Sequence, residues 1–160
     1  EALLAQDGVH LPHREPVADA LEALAVARLL AQPAAHVAFA VTAPAGELLA
    51  TADRAERQDV FPVVDADARL VGLITVDDLA ALAAAGPLDE LVRAVDLMRP
   101  PQAVRPEEPL TRALERMAAT GVRGLPVVDA DGHVRALIDE TAIAHELLRA
   151  RGSRAPAPRG

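Results

Sequence analysis

At 160 residues and 51% hydrophobic composition, the chain is long enough for one substantial core, or for two small units that share one. Its 24 acidic and 16 basic residues give a net charge of −8, which, with two Phe and no Tyr or Trp, excludes a general nucleic-acid binder. The absence of Cys excludes disulfides, thiolate metal sites and a thiol nucleophile, and it fits a reducing cytosol.

The first predicted element is a helix ahead of the repeated part of the chain. Pro16 suits a first helical position because its ring fixes φ near the helical value. The apolar positions that follow are Ala20, Leu21, Leu24 and Ala25. We assign residues 1–25 to an N-terminal linker and helix. Because the chain starts at Glu1 rather than Met, we expect a piece of a longer protein.

A strand, a helix, a hairpin and a second helix come next. The strand is predicted at residues 36–42. The apolar residues of the helix are Leu48, Leu49, Ala52 and Ala55. In the hairpin, residues 61–74, two apolar runs enclose an Asp-Ala-Asp turn. Thr75 then caps a helix that ends before Gly86.

The hairpin sequence occurs twice. Residues 61–74 return as residues 125–138, 64 positions later, with eight of the 14 residues identical. The second copy also has an upstream strand, predicted at residues 102–105, and a helix whose first position suits Pro109. The buried face of that helix is predicted to consist of Leu110, Ala113, Leu114 and Met117. In the second turn, Gly132 suits a position that needs a positive φ.

These patterns predict an α+β (mixed α/β) fold of two β-α-β-β-α units. A three-stranded sheet with helices on one side needs cover on its other side, and two such units cover each other in a pseudo-two-fold arrangement. We place the first unit at residues 26–86, the second at residues 87–150 and a flexible tail at residues 151–160.

The most specific motif is a strand of the form h-P-V-V-D, an acidic turn, and a strand that ends in Gly-h-h-Thr-x-x-Asp before a helix. Residues 61–78 contain it in full and residues 125–138 contain it in part. The motif and its tandem arrangement resemble the CBS domain, a module that occurs in pairs, and the resemblance covers roughly residues 26–150. It implies a regulatory binding module rather than an enzyme.

A second resemblance lies in residues 1–12, Glu-Ala-Leu-Leu-Ala-Gln-Asp-Gly-Val-His-Leu-Pro. This segment is similar to the one that follows the last membrane helix in chloride channels and transporters of the ClC family, many of which continue into a cytosolic CBS pair. The resemblance implies a domain on the cytoplasmic side of the membrane, attached to a parent transport domain. Other proteins that carry a CBS pair are the alternative hosts.

CBS pairs commonly bind adenosine-containing ligands between their units, so the resemblance implies a site for ATP, ADP or AMP. Thr75 and Asp78 match the family's Thr-x-x-Asp, whose carboxylate accepts hydrogen bonds from the ribose hydroxyls. The residues expected against adenine are Val41, Thr42, Val60, Phe61 and Pro62. A phosphate is expected within reach of Arg54 and Arg57.

The Thr-x-x-Asp motif also has a purely structural interpretation, because the same spacing at a helix start forms a capping box. The second copy separates the two roles. Asp139 replaces Thr75 and preserves the cap. Ala142 replaces Asp78 and removes the carboxylate that would accept the ribose hydroxyls.

The glycine of the motif differs between the copies as well. Gly72 of the first copy becomes Ala136 in the second, which places a methyl group where the backbone needs to approach a ligand closely. We therefore predict asymmetric binding, with at most one functional cleft, near Asp78.

Catalytic and metal sites find little support in the sequence. The only Ser is Ser153, in the predicted tail, and without Lys there is no P-loop lysine and no Schiff base. Three acidic residues match positions of a calcium loop, namely Asp129, Asp131 and Glu140. Gly132 lies at the wrong position for such a loop, and a hairpin turn explains these residues better. We predict no catalytic residue and no metal site.

Two other functions remain open. A homodimer that steadies the parent assembly without binding a ligand fits the Ala-rich helices and the missing carboxylate at Ala142. A Mg²⁺-sensing regulatory domain of another transporter fits the net charge of −8, although solvated acidic faces explain that charge as well.

Overall fold

The computed structural model describes residues 14–31, 35–86 and 91–153. The first unit consists of β1 (Phe39–Ala40), α2 (Ala45–Arg54), β2 (Val60–Val64), β3 (Leu70–Thr75) and α3 (Val76–Ala85). The second unit consists of α5 (Leu110–Thr120), β4 (Gly124–Val128), β5 (Val134–Asp139) and α6 (Glu140–Ser153). The remaining elements are α1 (Arg14–Ala23), a 3-10 helix (Val26–Leu30) and the short α4 (Ala94–Leu97). The predicted α+β fold is confirmed.

The two hairpins share one register. Val60 pairs with Thr75 in the antiparallel β2–β3 hairpin, and Gly124 pairs with Asp139 in the β4–β5 hairpin, so both partners are displaced by 64 residues. Each hairpin also has a register shift before its last pair. The sequence repeat is therefore a repeat of the backbone, down to its irregularity.

The hairpin turns meet at the junction of the two units. Arg69 forms an isolated bridge with His133, the residue 64 positions later. The amide of Leu70 donates a hydrogen bond to the Gly132 carbonyl over 2.9 Å. A position that contacts its own repeat must lie beside a two-fold axis, so the turns mark the axis that relates the two units.

Both turns are closed by an aspartate. The Oδ1 atom of Asp65 accepts hydrogen bonds from the amides two and four residues later, and that of Asp129 does the same. Gly132 has a φ of +90°, as predicted, and Ala68 holds the equivalent position at +63°. The second acidic turn is therefore built as a hairpin connection and has the same geometry as the first.

The outer strand of each unit is shorter than the sequence predicts. Residues 36–42 contribute only β1, which is parallel to β2, because the side chain of Gln58 takes both the amide and the carbonyl of Val37. In the second unit, residues 102–105 are reduced to one parallel bridge between Val104 and Val127. Prolines at positions 100, 101 and 106 flank that bridge and donate no ladder hydrogen bonds.

The two faces of the first sheet belong to different hydrophobic clusters. Phe61 is fully buried and stacks on Phe39 with ring centroids 5.1 Å apart, in the cluster beneath α2 and α3. Val60 and Leu73 face the other way and join the core of the second unit, which includes Val127. The inter-unit core therefore fixes β2 and β3 against β4, as the predicted mutual covering requires.

Each unit is covered by a segment that lies outside it in sequence. The segment before the first unit covers the second unit, and the linker between the units covers the first. The amides of Val26 and Ala27 donate to carbonyls at positions 108 and 106 of the second unit, each over 2.8 Å. The linker segment, residues 92–99, covers the first unit, where the Ala94 amide donates to the Ala43 carbonyl over 2.9 Å. The 3-10 helix, assigned to the first unit from sequence, thus packs against the second.

The C-terminal helix also differs from the expectation. Helix α6 continues to Ser153, so it includes the start of the tail that we predicted from residue 151, while residues 154–160 lie outside the described part. Within residues 14–31, 35–86 and 91–153, no helix is long and apolar enough to cross a membrane.

Candidate ligand-binding clefts

Two cavities lie along the seam between the units. The smaller one, which we call the Thr75 cleft, has a volume of about 110 Å³. Its walls come from the start of α3, the end of the linker segment and the loop before β4. Its lining residues are Asp59, Val60, Thr75, Val76, Asp77, Arg99, Gly121, Val122 and Arg123.

The larger cavity, which we call the Arg57 cleft, has a volume of about 350 Å³. Its walls come from the loop before β2, the segment before β1 and the end of β5. Its lining residues are Ala35, His36, Glu56, Arg57, Gln58, Asp59, Val60, Arg123, Gly124, Leu137, Ile138 and Asp139.

The two clefts are related by the repeat. Thr75 in one corresponds to Asp139 in the other, and Gly121 corresponds to Arg57, each 64 residues apart. Asp59 and Arg123 correspond to each other and line both clefts. The chain therefore offers two versions of one inter-unit site, with different charges at the same positions.

Thr75 and Asp78 form the capping box that the sequence allowed. The Thr75 Oγ1 accepts from the Asp78 amide over 3.2 Å, and the Asp78 Oδ2 accepts from the Thr75 amide over 3.0 Å. In the second unit, Asp139 accepts from the Ala142 amide over 2.7 Å. The cap is thus preserved in both copies, as predicted.

The Asp78 carboxylate has a further partner, Arg99. The Arg99 Nε donates to Oδ2 over 2.9 Å and Nη2 donates to Oδ1 over 2.8 Å, so the guanidinium engages both oxygens. Partial burial on its own would raise the pKa of Asp78, but the hydrogen bonds from Arg99 and from Thr75 outweigh it and lower that pKa below its ordinary value. The carboxylate expected to hold ribose is therefore ionised and already paired within the chain.

The structure gives Gly72 a different role from the one expected. A Cβ atom added there would lie 2.5 Å from the Met98 Sδ and 2.9 Å from the Arg99 carbonyl oxygen. The chain segment that approaches Gly72 is thus its own linker and not a ligand. Leu73 fixes that segment, because its amide and carbonyl exchange hydrogen bonds of 3.1 and 2.7 Å with Arg99.

The residues expected against adenine do not converge on one cavity. Val60 lines both clefts, whereas Phe61 and Pro62 are fully buried in the sheet. The carbonyl of Val41 accepts from the Val95 amide, and the carbonyl of Thr42 accepts from the Arg93 guanidinium. The linker segment therefore occupies the strand edge at Val41 and Thr42. Their assignment as adenine contacts remains a prediction from the resemblance.

The two arginines expected near phosphate lie apart. Arg54 is exposed at the end of α2 and lines neither cleft. Arg57 lines the larger cleft and adopts a φ of +66°, where the second copy has Gly121 at +73°. A side chain at such a φ costs about 1 kcal/mol, so the backbone is strained at the residue that brings a guanidinium to the cleft.

Arg99 and Arg123 were not identified from the sequence. Arg123 is exposed, and among the described residues no ion pair or side-chain hydrogen bond engages it. The repeat carried a signal for Arg123, because the offset of 64 pairs it with Asp59 in the loop before β2. Arg99 had no such signal, since its contact with Asp78 depends on how the linker segment folds back.

Comparison with known proteins identifies the module. A family model of the CBS domain matches residues 36–85 and 92–149. None of the curated proteins compared with the chain matches it significantly.

Several solved structures share the fold. CBSX2 from Arabidopsis thaliana has a TM-score of 0.70 at 23% identity over 81% of this chain and 97% of CBSX2, which has also been solved in complex with AMP. The CBS domain of a bacterial CNNM/CorC family Mg²⁺ transporter in complex with ATP has a TM-score of 0.67 at 22% identity, over 86% and 98% of the two chains. The CBS domain of a membrane protein from Sphaerobacter thermophilus has a TM-score of 0.61 at 20% identity, over 89% and 96%.

At these identities the likeness concerns the fold, and the family follows from the family model, which matches more than half of the chain in two segments. The tandem arrangement expected from the repeat is confirmed. The chain belongs to the CBS domain family and contains a pair of these domains.

Proposed function

We propose that this CBS pair is a regulatory module that binds an adenine nucleotide between its two units. The observation that carries the proposal is the Arg57 cleft, where about 350 Å³ of space lies beside the guanidiniums of Arg57 and Arg123. Small-molecule sites are typically about 300–1,000 Å³ in volume, so this cleft falls within that range and the Thr75 cleft, at about 110 Å³, does not.

The two guanidiniums of the Arg57 cleft support a phosphorylated ligand, and they lie among three carboxylates, those of Glu56, Asp59 and Asp139. Guanidinium groups form paired hydrogen bonds with phosphate oxygens, and Arg57 is kept at a position where glycine would relieve backbone strain. The structural neighbours solved with AMP and ATP support the nucleotide class.

Binding is tested by thermal unfolding with millimolar ATP, ADP or AMP. A ligand that binds the folded state raises the melting temperature, and we expect Arg57→Gly to remove most of that rise, each variant being compared with its own ligand-free sample. Ala68→Gly is the matched control, because it relieves the same kind of strain at φ +63° outside both clefts. Both variants should be about 1 kcal/mol more stable without ligand. No rise with any of the three nucleotides contradicts the proposal.

Asp78→Ala distinguishes the two clefts. The sequence motif predicts that binding depends on Asp78, whereas the structure pairs Asp78 with Arg99 and leaves the larger space beside Arg57. If Asp78→Ala removes the nucleotide response and Arg57→Gly preserves it, the ligand binds in the Thr75 cleft. The reverse result assigns it to the Arg57 cleft.

The host is inferred to be a membrane transport protein, with the module on its cytoplasmic side. A nucleotide between the units would act by favouring one relative pose of the units over another, since a ligand shifts only states that it binds differently. The ClC resemblance lies in residues 1–12, outside the described residues, and stays a prediction. A Mg²⁺ transporter is the alternative, supported by a structural neighbour from that family. Membrane helices in the upstream sequence would support a transport protein as the host, and the family to which those helices belong would decide between the two hosts.

Homodimerisation also stays a prediction. Leu91 and Leu148 are exposed by 80% and 63%, and both lie on helical or linker surfaces away from the two clefts. Light scattering of the chain with and without nucleotide measures the state directly. A stable dimer that is indifferent to every nucleotide would favour an assembly role over a sensing role.

A further inference from the structure

Asp78 is the one carboxylate of the Thr-x-x-Asp type in the chain, and three of its roughly four acceptor positions are already used by Thr75 and Arg99, which leaves too few for the two hydroxyls of a ribose. Oδ2 accepts from the Thr75 amide and from the Arg99 Nε, and Oδ1 accepts from the Arg99 Nη2. A ribose diol needs the same oxygens, because its two hydroxyls donate to one carboxylate. Arg99 and a ribose therefore compete for one acceptor.

The position of Arg99 is fixed by the backbone around it. Its amide and carbonyl pair with Leu73, and Met98 packs where a side chain at Gly72 would stand. The Arg99 side chain is 44% exposed and the Asp78 side chain 18%, so the pair is not in the core. Arg99 lines the Thr75 cleft and Asp78 does not, so the arginine and not the carboxylate faces that space. The linker segment thus presents Arg99 to Asp78 without any ligand.

The second unit shows the same helix start without this pair. Ala142 replaces Asp78, and Asp139 retains only the capping role. The pair is therefore not needed to begin the helix. In the first unit, the Arg99 guanidinium occupies the carboxylate that would otherwise accept hydrogen bonds from a ligand.

From these contacts we infer that Arg99 is an internal competitor that closes the Thr75 cleft to ribose-bearing ligands and limits the module to one bound nucleotide, in the Arg57 cleft. The inference rests on the proposed function, since it concerns a ligand of the same class. It also connects binding to the linker segment: a ligand that reached Asp78 would have to displace Arg99, and Arg99 is hydrogen-bonded through its backbone to β3.

Calorimetric titration with adenosine and with ATP tests the inference through stoichiometry. We expect one site in the wild-type chain and two in Arg99→Ala, because the variant removes both Arg99 hydrogen bonds from Asp78 and enlarges the small cleft. The new site should bind adenosine at least about tenfold tighter than 2′,3′-dideoxyadenosine, which lacks the hydroxyls that donate to the carboxylate. Adding Asp78→Ala to Arg99→Ala should remove the second site again.

Two matched variants control for charge and stability. Arg99→Lys keeps a cation near Asp78 and should still bind one ligand. If Arg99→Ala does not fold, Arg99→Met, which keeps the length of the side chain without its charge, is expected to show the second site in its place. Arg112→Ala removes an exposed ion pair of 3.5 Å with Glu115, neither residue of which lines a cleft, and should behave as wild type. A second site in Arg112→Ala would contradict the assignment to Arg99.

The outcomes separate this inference from the proposed function. One site in the wild type, lost in Arg57→Gly, with still one site in Arg99→Ala, overturns the inference and leaves the proposed function standing. No site in the wild type and one diol-dependent site in Arg99→Ala supports the role of Arg99 as a competitor and overturns the binding in the Arg57 cleft on which the proposed function depends. No binding by either protein overturns both.

Discussion

The two CBS units share a backbone but differ in where they keep their charges. In the first unit, Asp78 at the start of α3 is held by Arg99, and Leu82, one turn later, is a core residue. In the second unit, Ala142 is neutral, and the residue one turn later is Glu146, which is only 2% exposed. The two units therefore share turns, caps and strand registers, but their ion pairs lie at different positions of the last helix: at its first turn in the first unit and one turn later in the second.

The buried Glu146 depends on the N-terminal segment. Its Oε2 accepts from the Arg28 Nε over 3.1 Å, and its Oε1 accepts from Arg149 over 3.2 Å. In both units an arginine from the covering segment thus pairs with a carboxylate of the last helix. The comparison shows that the covering segments, and not the hairpins, are where the two halves acquired separate properties.

The largest expected effect on stability comes from giving Gly72, which the linker segment approaches closely, the alanine that the second unit has at the equivalent position, Ala136. Gly72→Ala should destabilise the protein by about 2 kcal/mol, because the added Cβ overlaps Met98 and the Arg99 carbonyl. The reciprocal change, Ala136→Gly, should cost about 1 kcal/mol or less, as glycine in a strand does. Urea denaturation of both variants measures the difference, and equal losses would contradict the role assigned to Gly72.

A smaller effect on stability is expected when the buried Glu146 is replaced by leucine, the residue that the first unit has at the equivalent position, Leu82. Glu146→Leu should leave stability unchanged or raise it by about 1 kcal/mol, because Arg28 and Arg149 are more than half exposed and remain solvated. Arg28→Met should instead lower stability by about 1–2 kcal/mol, since Glu146 stays buried with one partner fewer. If both variants lose the same stability, the site depends on packing and not on charge.

The smallest effect is on the pH dependence of stability, and it should be equal in the two units. The amides of Arg69 and His133 donate to Asp65 and Asp129 and lower the pKa of each carboxyl below its ordinary value. A lowered folded-state pKa contributes stability that is present above the unfolded-state pKa, about 3.9, and is lost as pH falls through the folded-state value. Asp65→Asn and Asp129→Asn should therefore flatten the acid side of the melting profile by similar amounts, and unequal flattening would show that the turns are not equivalent.

The elements that local sequence determines were predictable. The hairpins followed from an offset of 64, and the cap at Thr75 followed from its spacing to Asp78. Both depend on contacts between residues that are near in sequence, so pattern and propensity suffice. The shortened outer strand of the first unit was not predictable, because the side chain of Gln58 competes there with the backbone partner. The shortened strand of the second unit did have a signal, since prolines flank it at positions 100, 101 and 106.

The site was harder to predict because it is assembled from distant segments. Arg99 reaches Asp78 across 21 residues, and Val26 reaches the second unit across about eighty. The alternation of side chains along a strand does predict which residues face the inter-unit core. Val60 and Phe61 are neighbours in β2, so their side chains lie on opposite faces of the sheet. The structure accordingly places them in different hydrophobic clusters. Which loops then enclose a cavity depends on the covering segments.

The crossed covering segments set the order in which the molecule can be completed during synthesis. The first unit has all of its parts once residue 99 has been made, because the linker segment that covers it comes directly after α3. Val26 is fully buried in the folded protein by residues 106–110 and by the hairpin of the second unit. Its apolar side chain therefore stays exposed to solvent until the second unit has been synthesised. The segment that precedes the first unit is therefore fixed only after the second unit has been made, and deleting it would damage the unit that lies farther from it in sequence.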